Sequence, residues 1–199
     1  MARPAKFDDN VILDRATDLF WRDGVDNVSV RDLEDALELR APSIYRRYHS
    51  REQLVARCID RYVEIEVSGR ITRLLINAVD PLDGLRVFFT SVLRPHAGEA
   101  TSRGCLLTNT AGGSEAAAPA VATAIRRGLD RIEAALADQL ERAVAAGLLD
   151  RRLDVAATAK ALLLSFQGLL LLARNGDEDL PAGVDAALAA LLPPPPAAS

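Results

Sequence analysis

Four arginines near the amino terminus carry the clearest potential for chemistry. Arg40, Arg46, Arg47 and Arg51 lie close together, with Tyr45 and Tyr48 interleaved and no carboxylate between Leu39 and Arg51. The chain as a whole is acidic, with net charge −4 and a pI near 5.3. A local cationic stretch on an acidic chain is a candidate phosphate-binding surface, and the overall charge argues against indiscriminate coating of nucleic acid. Any DNA contact must come from a placed surface. Other reactive groups are sparse. His49 and His96 are too few and too separated to suggest a metal site, and Cys58 and Cys105 cannot build a disulfide framework. No cofactor fingerprint, metal-ligand set or acid–base pair is present, so neither cofactor nor enzymatic activity is expected. Ser165-Phe166-Gln167-Gly168 lacks the strand–turn–helix setting of a nucleophile elbow.

The elements that must hold the arginines are helices. Alanine and leucine dominate a chain that is 49% apolar and poor in aromatics, which suits packed helices. Ile12, Ala16, Leu19 and Phe20 recur at helical spacing and predict a helix over Asp9 to Asp23, stopped by Gly24. Ser29-Val30-Arg31-Asp32 reads as a helix start with a hydroxyl cap answered by an acid three residues on. Pro42 disfavours helical geometry at Ala41, so the third helix begins with Pro42 in its first turn. Ile44 and Tyr48 then point inward together, Tyr45, Arg46 and His49 outward, and Arg47 toward a flank. Ser50 and Gln53 form a capping box for a long fourth helix carrying Leu54, Cys58, Tyr62 and Ile65 on one face.

Beyond about residue 75 the pattern continues as helices. Asp80-Pro81-Leu82-Asp83 opens one that buries Leu85, Phe88, Phe89 and Val92; Cys105 to Thr110 forms a short one; and Pro119 starts a long amphipathic one ended by Gly147. The helix from Asp154 to Arg174 is unusual: between Ala161 and Ala173 only Ser165, Gln167 and Gly168 are not apolar. An all-round apolar helix must be covered all round. That stretch spans only roughly 20 Å, too short for a bilayer, so the expected cover is the protein's own core and a second copy of the chain. Asn175-Gly176 stops it, Pro181 opens the last helix, and Pro193 to Pro196 leave an extended tail. The start of the chain lacks the apolar core of a secretory signal, which with the lack of an expected membrane span implies a cytoplasmic location.

The amino-terminal arrangement resembles the TetR family of transcriptional regulators. The resemblance rests on Ile12 to Phe20 then Gly24, on Ser29-Val30-Arg31-Asp32-Leu33, and on Ser43-Ile44-Tyr45-Arg46-Arg47-Tyr48 followed by Arg51-Glu52-Gln53-Leu54. It covers about a quarter of the chain; Gly104-Cys105-Leu106-Leu107 is similar to a segment in one branch of the family. The implied fold is all-α: a helix-turn-helix DNA-binding domain over 1–50, a helical effector-binding and dimerisation domain over 51–192, a disordered Pro-rich tail over 193–199, and about nine helices in all. Two features depart from the family. Glu38 stands where glycine is usual in the turn, and Arg40 and Ala41 occupy the place of a serine or threonine cap.

A helix-turn-helix puts the amino-terminal part of its second helix at the bases. The resemblance therefore implies a DNA surface of Ser29, Arg40, Ala41, Pro42, Ser43, Tyr45, Arg46, Arg47 and Arg51. Arginine can take guanine O6 and N7 bidentately, so Arg40 and Arg46 are the expected sequence readers. Tyr45, Arg47, Arg51 and Ser29 are the expected phosphate contacts, which set register rather than sequence choice. The implied partners are a palindromic double-stranded operator, a second copy of the chain and a small-molecule effector. Phe88, Phe89, Val92, Cys105, Asn109, Phe166 and Gln167 are the candidate pocket residues; Leu162, Leu163, Phe166, Leu170, Ala187, Leu188 and Leu191 are the candidate dimer surface. Cys105 is open to two readings, a small buried apolar residue or a thiol sensing oxidants and electrophiles. The second requires a nearby cation or helix amino terminus, and Arg103 is close in sequence. A helical enzyme is the remote alternative. The leading expectation is a ligand-responsive homodimeric repressor.

Overall fold

Local signals set most of the helix ends. The computed structural model of the chain describes residues 9–93, 102–174 and 179–194; the expected stop at Asn175-Gly176 and the tail beyond Pro194 lie outside them. Helix α1 (Asp9–Asp23) buries Ile12, Leu13, Ala16, Leu19 and Phe20 and ends at Gly24, whose φ of 87° suits a residue without Cβ. A 3₁₀ turn, Val25–Asn27, leads to α2 (Val30–Leu37). Its capping box is complete, because Ser29 Oγ accepts the Asp32 N–H while the Asp32 carboxylate accepts the Ser29 N–H. It ends at Glu38 in the left-handed conformation, φ 54° and ψ 32°, a strain on the order of 1 kcal/mol for a residue with a Cβ. Helix α3 (Ala41–Tyr48) follows with Pro42 in its first turn and Ile44 and Tyr48 buried.

Helix α4 starts as Arg51–Tyr62 and runs on through π-helical turns at Val63–Val67 and Thr72–Ile76, with α-helical Ser68–Ile71 between them. Of the expected capping box one half forms: Ser50 Oγ accepts the Gln53 N–H. The Ser68 hydroxyl donates to the Val63 carbonyl at 2.8 Å, the kind of side-chain bond to the helix ladder that accompanies such wide turns. Helix α5 (Pro81–Thr90) is capped by Asp80, which accepts from the Leu82 and Asp83 N–H groups. Then come α6 (Leu106–Ala111), with Cys105 as its N-cap residue, α7 (Pro119–Ala145), α8 (Val155–Arg174) and α9 (Leu180–Leu191). The described residues thus hold nine helices and no strand.

The core sits where α7 lies between α4 and α8. Gly128 permits that approach: a Cβ there would stand 2.8 Å from Leu107 Cδ1 and 2.9 Å from Val63 Cγ2. Trp21 joins α1 to the larger part, donating from Nε1 to the Gly104 carbonyl at 3.2 Å and meeting the Tyr62 ring edge-on at 5.0 Å between centroids. Helix α8 is long and apolar enough by length and composition to cross a membrane, yet Ala159, Leu162, Leu163, Phe166, Leu169, Leu170 and Ala173 are buried in the subunit.

That burial divides the residues of the expected dimer surface. Leu162, Leu163, Phe166, Leu170 and Leu188 belong to the subunit's own core, and Ala187 and Leu191 are half-buried. The uncovered face of α8 is the opposite one, with Leu164 67%, Leu171 54% and Leu172 45% exposed. Periodicity shows that a helix is apolar all round; it does not show which side its own core takes.

Candidate nucleic-acid interface

Helices α2 and α3 form a helix-turn-helix packed on α1 and α4. Ile44 and Tyr48 anchor α3 from below, and that rotation sends Arg46 and His49 to the surface and leaves Tyr45 half-exposed. At the amino end of α3, Pro42 is exposed and Ala41 and Ser43 are half-buried. The Arg40 side chain is 87% exposed, with its guanidinium 3.8 Å from Glu34. Arg47 lies at the flank and pairs with Asp9 at 2.6 Å, beside the Tyr48 hydroxyl, which donates to the same carboxylate at 3.3 Å. Among the described residues Arg46 forms no ion pair on this face, and Arg40 is only loosely held.

Two expected phosphate contacts are committed elsewhere. Arg51 turns away from the surface: Nε donates to Glu115 at 2.7 Å, a terminal nitrogen donates to the Val25 carbonyl at 2.6 Å, and the guanidinium lies 5.5 Å from the Phe20 ring centroid. Glu115, distant in sequence, supplies a carboxylate that draws it inward. The Ser29 N–H and hydroxyl both donate to the Asp32 carboxylate, at 2.8 and 2.6 Å. Those hydrogen bonds hold the Asp32 carboxyl below the ordinary carboxylate range.

Arg51 belongs to a joint that sequence reading did not find. The turn Val25–Asn27 meets a second 3₁₀ turn, Ser114–Ala117. Asp26 accepts from Ser114 Oγ at 2.7 Å, from the Ser114 N–H at 3.1 Å and from the Glu115 N–H at 3.3 Å. Its carboxyl lies below the usual range, first because the Ser114 hydroxyl donates to it. Gly113 is needed here, since a Cβ would fall 2.0 Å from Asp26 Oδ2. Asp26 and Gly113 lie far apart in sequence, so the only local hint was the Gly112-Gly113 pair itself. The segment that ends in this joint begins at Arg103, whose guanidinium pairs with Asp18 at 2.6 Å and lies over the Trp21 ring.

The expected pocket residues divide into two groups. Phe88 stacks on Phe166 with centroids 4.7 Å apart, Phe89 meets Phe166 at 5.2 Å, and Val92 is buried. Asn109 donates to the Arg103 carbonyl at 3.0 Å. Gln167 Oε1 accepts from the Thr108 hydroxyl, whereas its Nε2 is buried without a hydrogen-bond partner. Cys105 is 3% exposed. Close to it the Tyr62 hydroxyl is also buried with no well-formed hydrogen bond, and burial holds that phenol well above its ordinary pKa. An apolar groove of about 250 Å³ runs between α8 and α9, lined by Phe89, Leu169, Leu172, Leu180 and Val184. Among the described residues no group of three or more His, Cys, Asp or Glu side chains is placed to hold a metal ion.

Comparisons with known proteins agree with this architecture. Residues 12–58 match the model of bacterial regulatory proteins of the tetR family, and residues 81–190 match that of the tetracyclin repressor-like C-terminal domain. The chain is 26% identical over 174 residues to the HTH-type transcriptional repressor ComR of Escherichia coli (strain K12), covering 87% of this chain and 83% of that protein. Among solved structures it is similar to the TetR family transcriptional regulator CifR, in a cysteine-mutant form complexed with 26bp double-strand operator DNA; the TM-score is 0.80 at 28% identity, over 94% of this chain and 99% of that one. It also shares its fold with reduced E. coli NemR, with a TM-score of 0.77 at 20% identity over 90% of this chain and 92% of that one.

Proposed function

The chain belongs to the tetR family of bacterial regulatory proteins, and on that footing we propose that it is a homodimeric, effector-released repressor that binds a palindromic operator. The carrying observation is the outward face of α3, where Arg46 and Arg40 project from a helix-turn-helix on an otherwise acidic chain. Arg46 and Arg40 read guanines in the major groove. Tyr45, Arg47 and the exposed amino end of α2 meet phosphates, with Arg47 exchanging Asp9 for DNA. Arg51 takes no part in DNA contact.

One such head makes too few contacts for tight specific binding. Pairing through the exposed face of α8, with Leu164, Leu171 and Leu172 at its centre, doubles them and sets half-sites roughly 34 Å apart or more. The effector enters the larger domain near α6, where Gln167 Nε2 and the Tyr62 hydroxyl offer unused polar atoms. Its binding is relayed through Ser114 and Glu115 to Asp26 and Arg51, and a coupling of about 1–3 kcal/mol suffices to release DNA. A regulator of this kind works in the cytoplasm, beside the chromosome.

Selection of bound duplexes from a random pool at fixed salt tests the reading. A two-fold symmetric site should emerge, and Arg46→Ala should weaken the preference for it. Recovery of no preferred sequence at low salt would refute it.

A further inference from the structure

The recognition helix lacks its own side-chain cap, and every amino-terminal donor can be traced. Arg40 is the N-cap residue and contributes no side-chain hydrogen bond. Pro42 has no N–H. The Ser43 N–H donates to the Arg40 carbonyl at 2.8 Å and the Ile44 N–H to the same oxygen at 3.2 Å. The Ala41 N–H remains, and Glu34 on α2 takes it at 2.7 Å. The second Glu34 oxygen faces the Arg40 guanidinium at 3.8 Å, with the Glu34 side chain 23% exposed. Glu34 also lines a cleft of about 340 Å³ at the end of α2 and the turn after it, together with Asp35, Glu38, Leu39 and Arg40. One side chain therefore touches both the end of the helix that enters the groove and an arginine at that end.

We infer that Glu34 is a positioning residue for sequence reading: it substitutes for the missing hydroxyl cap and restrains Arg40, so that α3 presents this arginine to one base pair of each half-site. The inference rests on the DNA-binding reading above. The physical case is that a helix end with one unanswered donor frays unless an acceptor reaches it. A guanidinium on an uncapped end with no anion beside it is free to meet any phosphate; held near a carboxylate, it meets DNA only where a base edge offers a better partner than Glu34 does. Glu34 lowers non-specific attraction and raises discrimination together. The adjacent left-handed Glu38, whose carboxylate pairs with Arg15 at 3.1 Å, fixes the turn that brings Glu34 back to Ala41.

The test uses the full-length protein, the duplex it selects, a variant duplex changed at the base pair protected by Arg40, and a scrambled duplex. Glu34→Gln keeps an acceptor for the Ala41 N–H and removes the anion: discrimination at that base pair should fall by about two- to fivefold and scrambled-duplex affinity should rise, with α3 intact. Glu34→Ala should lower specific affinity further, by about tenfold, and speed amide exchange at Ala41 in the DNA-free protein. In an Arg40→Ala background, Glu34→Gln should leave discrimination at that base pair unchanged. Should Glu34→Ala prove unfolded, Glu34→Gln decides alone. Discrimination equal to wild type in Glu34→Gln, with Arg46→Ala still lowering binding, overturns the role of Glu34 and leaves the family function standing. Absence of any preferred duplex for the wild-type chain overturns the reading beneath it.

Discussion

Replacing Gly113 with alanine tests the joint between the DNA-binding head and the larger domain. The backbone at Gly113, φ −100° and ψ 174°, suits any residue, so the substitution strains nothing by itself. Its Cβ, however, would lie 2.0 Å from Asp26 Oδ2 and 3.0 Å from Asp26 Cγ, which no contact tolerates. The carboxylate must move and lose its bonds to Ser114 Oγ, Ser114 N–H and Glu115 N–H. Bonds to a charged acceptor contribute roughly 1.5–3 kcal/mol when shielded, and less here because Asp26 is exposed; for one short and two long bonds the loss is about 2 kcal/mol. Asp26→Ala should cost a similar amount. The double variant should be no less stable than Asp26→Ala, and more stable by about 0.4–1 kcal/mol if the alanine restricts the unfolded chain. Gly113→Ala therefore changes sign with the residue at 26. Urea denaturation of the four proteins at one protein concentration measures this. Costs that add within about 0.5 kcal/mol would show that the two positions do not meet, and would remove the basis for the joint.

The same cycle carries a pH signature: the Asp26 carboxyl lies below its ordinary pKa in the fold, so its stabilising effect is present in full above the unfolded value near 3.9 and is lost as pH falls through the lower folded one. Stabilities of wild type and Asp26→Ala should stay apart down to about pH 4 and converge below it, as urea midpoints across pH will report. Arg46→Ala, at an exposed site, should weaken specific binding by about 1–3 kcal/mol with no change of unfolding midpoint, as anisotropy titration on the selected duplex will show. Leu171→Glu places a charge on the uncovered face of α8 and should convert a dimer to monomer in sedimentation while far-ultraviolet circular dichroism stays helical. Cys58 is fully buried and its thiol is pushed up to about 12, chiefly by burial; it should resist an alkylating reagent in native protein and react once urea unfolds the chain.

The helix-turn-helix was readable from Ile12 to Leu54 because its signals are local. A capping residue and the N–H that it answers lie within one turn, as at Ser29 and Asp32, and the spacing of Ile44 and Tyr48 fixes which face of α3 turns outward. The left-handed strain at Glu38 was equally visible as a side chain where the turn wants glycine. What the sequence could not decide were the encounters between distant segments. Arg51 looks like any surface cation until Glu115 and the Val25 carbonyl arrive beside it. Ala41 looks uncapped until α2 swings Glu34 across the turn. The apolar helix α8 has no preferred side until α7 packs against one of them and leaves Leu164, Leu171 and Leu172 on the other. Capping and periodicity act within a few residues of chain, so composition and order determine them. The partner of an exposed-looking charge, or the buried side of a uniformly apolar helix, depends on how whole helices dock, and only the tertiary structure supplies that.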